Sequence, residues 1–293
     1  MKHMKTVTSA LAGLALIATT SGAVAQDDPP AQAGGTDLAT AATNPVGSAN
    51  QLQFQGLYFD DSFNSDGDAK TFILQPIVSF NLPEGGYFSN VVTRWTVPLR
   101  YTPEIETPLG GIDESGLGDT LGLIFPTHTT LGDTPGEFTT WGPGVAVNIP
   151  TSSEPLLGTN TWSAGPGLVY LKNLKFASGN SLMIGGAVWH IWDISGKADV
   201  SATTGFPAFI YKFDKLFDQD GWYVRAPDDT FSYDHKANEF TQAPIGLGVG
   251  RAFVMGKQPV NIFASAWKNV ANPDTATTPK WALKASFSLV FPK

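Results

Sequence analysis

The chain has 293 residues, in which 26 Asp and Glu outnumber 18 Lys and Arg and cysteine is absent. The acidic balance argues against nucleic acid as a partner, because phosphate binding needs a basic surface. The lack of cysteine removes disulfides, thiolate metal sites and cysteine nucleophiles together. Charged residues make up only 15% and aromatic residues 12%, against an average of about 25% charged in soluble proteins, and that imbalance suits a surface partly facing lipid.

Residues 1–25 read as a cleaved export signal. Lys2 and Lys5 form a positive start, 9–20 a short apolar run, and Ala23-Val24-Ala25 a small-residue cleavage site that leaves Gln26 first in the mature chain. A spanning helix needs roughly 20 apolar residues, more than this run or any later one supplies. The segment 26–48 is rich in Pro, Ala, Gly and Thr and reads as a periplasmic tail or linker. Within it, 37–43 fits a short helix or plain linker equally well. From residue 49 to 293 the chain changes character, and short aromatic and β-branched runs recur between Gly, Asp, Asn and Pro clusters without a helical apolar period.

Those runs read as strands. In the first, Leu52, Phe54, Gly56 and Tyr58 alternate with Gln51, Gln53 and Gln55. In the second, Phe72, Leu74, Val78 and Phe80 alternate with Gln75, Ser79 and Asn81; in the third, Val91, Trp95, Val97, Leu99 and Tyr101 alternate with Arg94, Thr96 and Arg100. The fifth sets Trp141, Val145, Val147 and Ile149 against Thr140 and Asn148. Further strands are expected near 117–126, 161–172, 180–193, 200–213, 221–232, 240–253 and 259–269, with the faces of 180–193 and 200–213 left open. The last run, 280–291, puts Trp281, Leu283, Ala285, Phe287, Leu289 and Phe291 on one face and Lys280, Ala282, Lys284, Ser286, Ser288 and Val290 on the other. Twelve alternating residues exceed the usual strand of about 5–6 and match a tilted spanning strand of about 9–11.

The expected total is twelve strands, an even number as single-chain bacterial barrels have. Links after odd strands are mostly longer and often acidic (60–69, 102–116, 270–279), and those after even strands mostly shorter (82–86, 255–258), although 127–136 is long for a turn. Pro76, Pro98, Pro143, Pro166, Pro207 and Pro244 fall inside strands, where they remove a ladder donor and call for bulges or positions near a rim. The fold class is all-β: a transmembrane, antiparallel, up-and-down barrel of about twelve strands.

Several motifs carry a resemblance: Asn44-Pro45-Val46, the run from Ser115 to Thr120 (SGLGDT), Trp141-Gly142-Pro143-Gly144 with Ile149-Pro150-Thr151, Leu157-Gly158-Thr159 with Trp162 to Pro166, Trp189-His190-Ile191-Trp192, Gly246 to Gly250, Gly256 to Val260, and Phe291-Pro292-Lys293. In this order, over roughly 44–293, the chain resembles the outer-membrane proteins grouped as the "MetA-pathway of phenol degradation" family, often described as transporters. The resemblance implies an outer-envelope barrel with a role in uptake of aromatic or other small compounds. It carries no catalytic residue over.

Candidate chemistry is sparse. The mature chain has His128, His190 and His235; the first and last fall in expected links, and His190 lies in strand seven. No Gly-x-Ser-x-Gly elbow is present, and a histidine beside two tryptophans near a strand end reads as interfacial girdle rather than as the base of an outer-membrane hydrolase. Ser62-x-Asn64-x-Asp66-Gly67-Asp68 imitates the start of a calcium loop, but Ile73 stands where the bidentate Glu belongs. Gly246, Gly248 and Gly250 lack the helix and acid of a dinucleotide site and read as places where a bulky lumen group approaches, or where the strand curves. No cofactor, metal or catalysis is expected.

The alternation points Arg94, Arg100, Lys280 and Lys284 inward with Thr96, Asn148, Ser286 and Ser288, and His190 is a further lumen candidate. Rings of Lys and Arg select anions; the alternative is that these groups pair with carboxylates and fill a narrow barrel. Trp95, Trp141, Trp162, Trp189, Trp192 and Trp281 read as interfacial girdle. The expected function is a passive outer-membrane channel or facilitator for small aromatic or anionic solutes in a Gram-negative-type bacterium. Expected partners are outer-membrane lipid, a small solute, and the barrel-assembly machinery acting on the last strand. The alternatives are a structural or adhesive barrel with a filled lumen and, less favoured, a barrel hydrolase. An eight-stranded barrel is filled by side chains and 16–18 strands leave an aqueous channel, so twelve strands give an intermediate bore that 26–48 is placed to plug.

Overall fold

The computed structural model describes residues 35–47, 49–63, 68–102, 105–107, 110–112, 114–196, 198–274 and 278–291. The export signal at 1–25, most of the tail before residue 35, Asn64, Asp66 and Gly67 of the calcium-like run, and Pro292-Lys293 lie outside these residues. No helix among the described residues is long and apolar enough to cross a membrane.

Twelve long strands form one closed antiparallel barrel. They are β1 (Asn50–Ser62), β2 (Ala69–Asn81), β3 (Asn90–Tyr101), β4 (Thr120–Leu131), β5 (Phe138–Ile149) and β6 (Trp162–Lys175). The second half is β7 (Ser181–Ser195), β8 (Ser201–Lys212), β9 in two pieces (Trp222–Arg225 and Phe231–Asp234), β10 (Glu239–Gln242, then Pro244–Met255), β11 (Gln258–Asn269) and β12 (Pro279–Phe291). Each strand pairs with the next, and β12 closes onto β1 with Asn50 opposite Phe291. Asn50 and Phe291 lie at one end of the barrel with the two-residue turn at 256–257, and the two longest links, 102–119 and 150–161, lie at the other; these are called the short-turn and long-loop ends. A short hairpin (Ile105–Thr107 with Gly110–Ile112) and Ser115–Leu117, which extends the β3 ladder, belong to the β3–β4 loop.

The period of two governs every wall strand. On β12 Leu283 and Phe291 are exposed outward while Lys284, Ser288 and Val290 are buried inward. Exposed Leu99, Val145, Leu168, Phe209, Leu247 and Ile262 continue the apolar outer face around the barrel. Aromatic clusters flank it. Tyr87, Phe88, His128 and Trp141 gather toward the short-turn end, and Tyr58 with Trp281 and Tyr233 with Phe240 toward the long-loop end.

Three sequence expectations need correction. β4 runs on to Leu131, so 127–136 is not a long link, and His128 belongs to the strand, opposite Trp141. The prolines do not force bulges: register is unchanged on either side of Pro126 and Pro143, which stand opposite each other, and across Pro76. The ladder skips rungs there, and the register shifts fall at Asp193/Ser195 and Ser232/Tyr233 instead. On β7 it is Trp189, 3% exposed, that faces the lumen and packs near Phe206 with ring centroids 6.2 Å apart. Trp189 is therefore core rather than girdle.

Glycine sets the fit of the opposite wall. Gly248 and Gly250 face inward, and a Cβ on them would collide with the rings of Phe263 and Tyr223. Gly256, at φ 66°, takes the left-handed turn position that lets β10 reverse into β11 in two residues. Gly250→Val should therefore cost about 1–3 kcal/mol of overpacking, measured as a lower urea midpoint of the refolded barrel. Gly56→Val, where a Cβ meets nothing within 4 Å, should leave the midpoint unchanged or raised.

Candidate functional site

The lumen is divided lengthwise. On the β4–β8 side Leu123, Phe125, Ala146, Val169, Leu171, Met183, Ala187, Phe206 and Ile210 form a continuous apolar cluster. Facing it, β1 and β2 carry a glutamine ladder. Gln53 Nε2 donates to Gln51 Oε1 (2.9 Å), and Gln55 Nε2 to Gln53 (3.1 Å) and to Gln75 (2.9 Å). Gln75 Nε2 then reaches the Thr96 hydroxyl at 2.7 Å. Amides relay in this way because each has both a donor and an acceptor end.

The helix α1 (Gly35–Thr43) lies inside the barrel against β8 to β12 at the short-turn end. Its Leu38, Ala39 and Ala42 pack with Ala49, Ala252 and Val290. The first rung of the ladder holds its C-terminus, with Gln51 Nε2 donating to the Ala41 carbonyl at 3.0 Å. The following turn is fixed by Asn44, whose side-chain oxygen accepts from Val46 N at 3.1 Å.

Above the helix, charges cross the lumen. Between its two pieces β9 departs from both ladders at 226–230 (Ala-Pro-Asp-Asp-Thr) and carries Asp228 inward. Asp228 accepts from Arg225 at 2.7 Å and lies 3.4 Å from the Lys284 Nζ, which also donates to the Asp228 carbonyl. Asp229 accepts from Gln242 Nε2 at 3.0 Å and from Thr230 N at 2.8 Å. The Arg225 guanidinium lies over Phe263 at 5.4 Å and that of Arg94 over Phe206 at 4.8 Å. Arg94, Arg225, Asp228, Tyr223, Asn261, Phe263, Ser286 and Ser288 line one cavity with Ala42 to Pro45 from the helix end. Its volume is about 20 Å³, room for about one water.

The six predicted lumen residues separate into distinct roles. Arg94 and Lys284 meet at the crossing. Arg100 points inward but donates to the Leu157 carbonyl at 3.1 Å, and Asn148 donates to Asp119 (3.3 Å) and to the Thr161 carbonyl (3.2 Å). Lys280 sits at the long-loop rim, paired with Asp61 at 2.8 Å and 40% exposed. His190 does not face the lumen. It shares the outer face with Trp192, and its Nδ1 meets the Thr203 hydroxyl (2.9 Å), which also meets His235 Nε2 (2.8 Å). The neighbouring Trp189 occupies the inward position, so parity excludes His190.

Asp119 is the hub of a loop lock that the sequence reading missed. It accepts from Thr159 N (2.7 Å), the Thr159 hydroxyl (2.9 Å) and Ser152 N (3.3 Å). Leu157, in a single 3-10 turn (Pro155–Leu157), is wholly buried beneath it. The motifs around Asp119 and around Gly158-Thr159 are thus two halves of one contact, which folds the β5–β6 loop back onto the β3–β4 loop.

The barrel fold is shared with a solved structure. An outer membrane channel from Pseudomonas putida F1 superposes with a TM-score of 0.54 over 86% of this chain and 98% of that one, at 13% identity. The chain has the fold of an outer-membrane β-barrel. Looser matches are the β domain of the Bordetella autotransporter BrkA (TM-score 0.46, 14% identity, 83% and 100% coverage) and the outer membrane phospholipase A of Escherichia coli (0.40, 11%, 88% and 98%). No family model matches the chain, and no curated protein matches it by sequence.

Asp228→Ala leaves Arg225 and Lys284 without their carboxylate at side-chain exposures of 11% and 4%. Breaking a buried pair in this way costs about 3–5 kcal/mol, to be measured by urea unfolding, and adding Lys284→Met should restore part of the loss. Asp119→Ala should release the β5–β6 loop, making cleavage at Glu154 by a Glu-specific protease about ten-fold faster than in the parent barrel.

Proposed function

We propose that the chain is an outer-membrane channel for small solutes, closed in the state described, and that the solutes are anionic or aromatic. The observation that carries this reading is the polar track of Gln51, Gln53, Gln55, Gln75 and Thr96, which leads along the lumen to Arg94 and Lys284 and faces an apolar wall. A barrel with only a structural task gains little from such a track, about 0.5–1.5 kcal/mol per bond once lost hydration is counted, and an apolar filling would serve it as well. The apolar outer face between aromatic clusters supports membrane placement, as does the shared fold. On this reading the short-turn end is periplasmic, lipid surrounds the wall, and β12 is the strand that the assembly machinery would engage. The reading assigns the chain no bond chemistry: His190 bonds only a threonine on the outer face among the described residues. The resemblance to the phenol-degradation transporters supports aromatic solutes through its motifs, several of which serve turns and the loop lock.

The second reading is a structural barrel with a filled lumen, and the cavity of about 20 Å³ favours it. Planar-bilayer conductance separates the two. The mature barrel should give small or rare steps, because α1 occupies the bore. Leu38→Glu puts a charge at a position only 6% exposed and removes about 1.5–3 kcal/mol of apolar burial, so the helix should leave and stable steps several-fold larger should appear. A heat-modifiable, folded Leu38→Glu barrel that gives no steps would establish the structural reading.

A further inference from the structure

The cations of the lumen are not equivalent. Arg225 and Lys284 are held by Asp228, Arg100 by the Leu157 carbonyl, and Lys280 by Asp61. Arg94 makes no hydrogen bond among the described residues, although it lines the central cavity and Asp228 acts on it through space. Three cations, Arg94, Arg225 and Lys284, thus share two carboxylates, of which Asp229 is bonded to Gln242 and Thr230. One positive charge is left over at the cavity.

The remaining lining offers several donors without a partner among the described residues. The Ser286 and Ser288 hydroxyls and the Asn261 amide nitrogen line the same space and make no hydrogen bond among the described residues, because the Asn261 oxygen is taken by the Tyr223 hydroxyl at 2.9 Å. The acceptor at the cavity edge, Asp228, is turned to Arg225 and Lys284. Arg94 lies over the Phe206 ring, which leaves the edge of its fork for a partner in plane. Such a fork matches a planar carboxylate through two parallel hydrogen bonds.

We propose that the cavity at Arg94 is a binding site for the carboxylate of a small monocarboxylic acid, read by Arg94 with Asn261, Ser286 and Ser288. The proposal rests on the solute-channel reading and names its solute class. With α1 in place the cavity has room for about one water, so an acid of any size binds once the helix is displaced. Ala42 and Pro45 of the helix end, with Ile77 and Phe263, occupy the space that a larger acid's apolar body needs. An aromatic acid therefore binds once the helix is displaced.

Calorimetric titration of the full mature barrel in detergent tests this, with acetate, benzoate and neutral benzamide as probes. Acetate and benzoate should bind saturably to Leu38→Glu, in which the helix is displaced, and neither to the parent barrel. In the Leu38→Glu background Arg94→Gln should weaken acetate at least ten-fold and Arg94→Lys less, while Ser286→Ala should weaken it several-fold without touching the charges. Arg251→Gln, which removes a cation from the outer face, should bind in that background as Leu38→Glu does. Equal acetate binding by folded Leu38→Glu with and without Arg94→Gln would overturn the proposal. So would a folded Leu38→Glu barrel with no saturable binding. Binding is read here without current, so a barrel that fails to conduct leaves this test intact.

Discussion

Closure of the ladder between β1 and β12 is the constraint on which the rest of this structure depends. In lipid no water relieves an unpaired amide or carbonyl, so an open edge would be costly along its whole length. Twelve register pairs from Asn50 with Phe291 to Ser62 with Pro279 remove that edge. Once the wall is closed, the pleat assigns each residue a side, and a single step in register would exchange lipid and lumen along a whole strand. The wall tolerates its prolines because they lose individual rungs while registers on both sides stay in phase. That is the less costly solution where a bulge would rotate every later side chain.

The inside of the wall shows how far parity can be pushed. The apolar half buries Trp189 and Phe206 as a soluble core would, and the glycines of β10 yield room to Tyr223 and Phe263. The polar half is built from groups that satisfy one another in sequence, amide to amide, before any charge appears. Charge enters where β9 leaves the wall. The excursion at 226–230 sets an aspartate between cations from β9 and β12, so that these two strands are tied across the lumen by one carboxylate, with Arg94 of β3 nearby. A strand that stayed in register would have kept Asp228 in the wall.

Much of this was legible in the sequence. Residues 280–291 alternate with only Ala282 and Val290 apolar on the inward face, and the structure follows that reading residue by residue; twelve strands are also as the spacing implied, whereas the links follow it only in part, 213–221 being longer than 235–238. Two kinds of feature were not. The faces of β7 are ambiguous because Trp189, His190 and Trp192 are all plausible at an interface, and only the ladder with β6 and β8 decides which is inside. The Asp228 crossing was hidden because 221–232 scores as one strand, although Pro227-Asp228-Asp229 in mid-strand is turn chemistry and marks the excursion in retrospect. The pairing of Asp119 with Thr159 joins residues that no local pattern connects. Likewise, alternation puts Arg94, Arg100 and Lys284 on the inward face, but their roles follow from partners on other strands.

The polar track serves both the closed state and the channel proposed for it. Gln51 gives its amide proton to the Ala41 carbonyl, an orphan group that any helix C-terminus must satisfy. When the helix leaves, the same proton goes to water or solute, and the net change for such an exchange is about 0.5–1.5 kcal/mol. The apolar side of the helix adds one buried leucine and two alanines. Closure therefore rests on a few kcal/mol, carried by contacts that are local to the short-turn end. The charged crossing above is independent of it, since none of the Asp228 hydrogen bonds involves the helix. A plug of this strength can exchange without unfolding the wall, and it leaves Arg94 already in position when the bore opens.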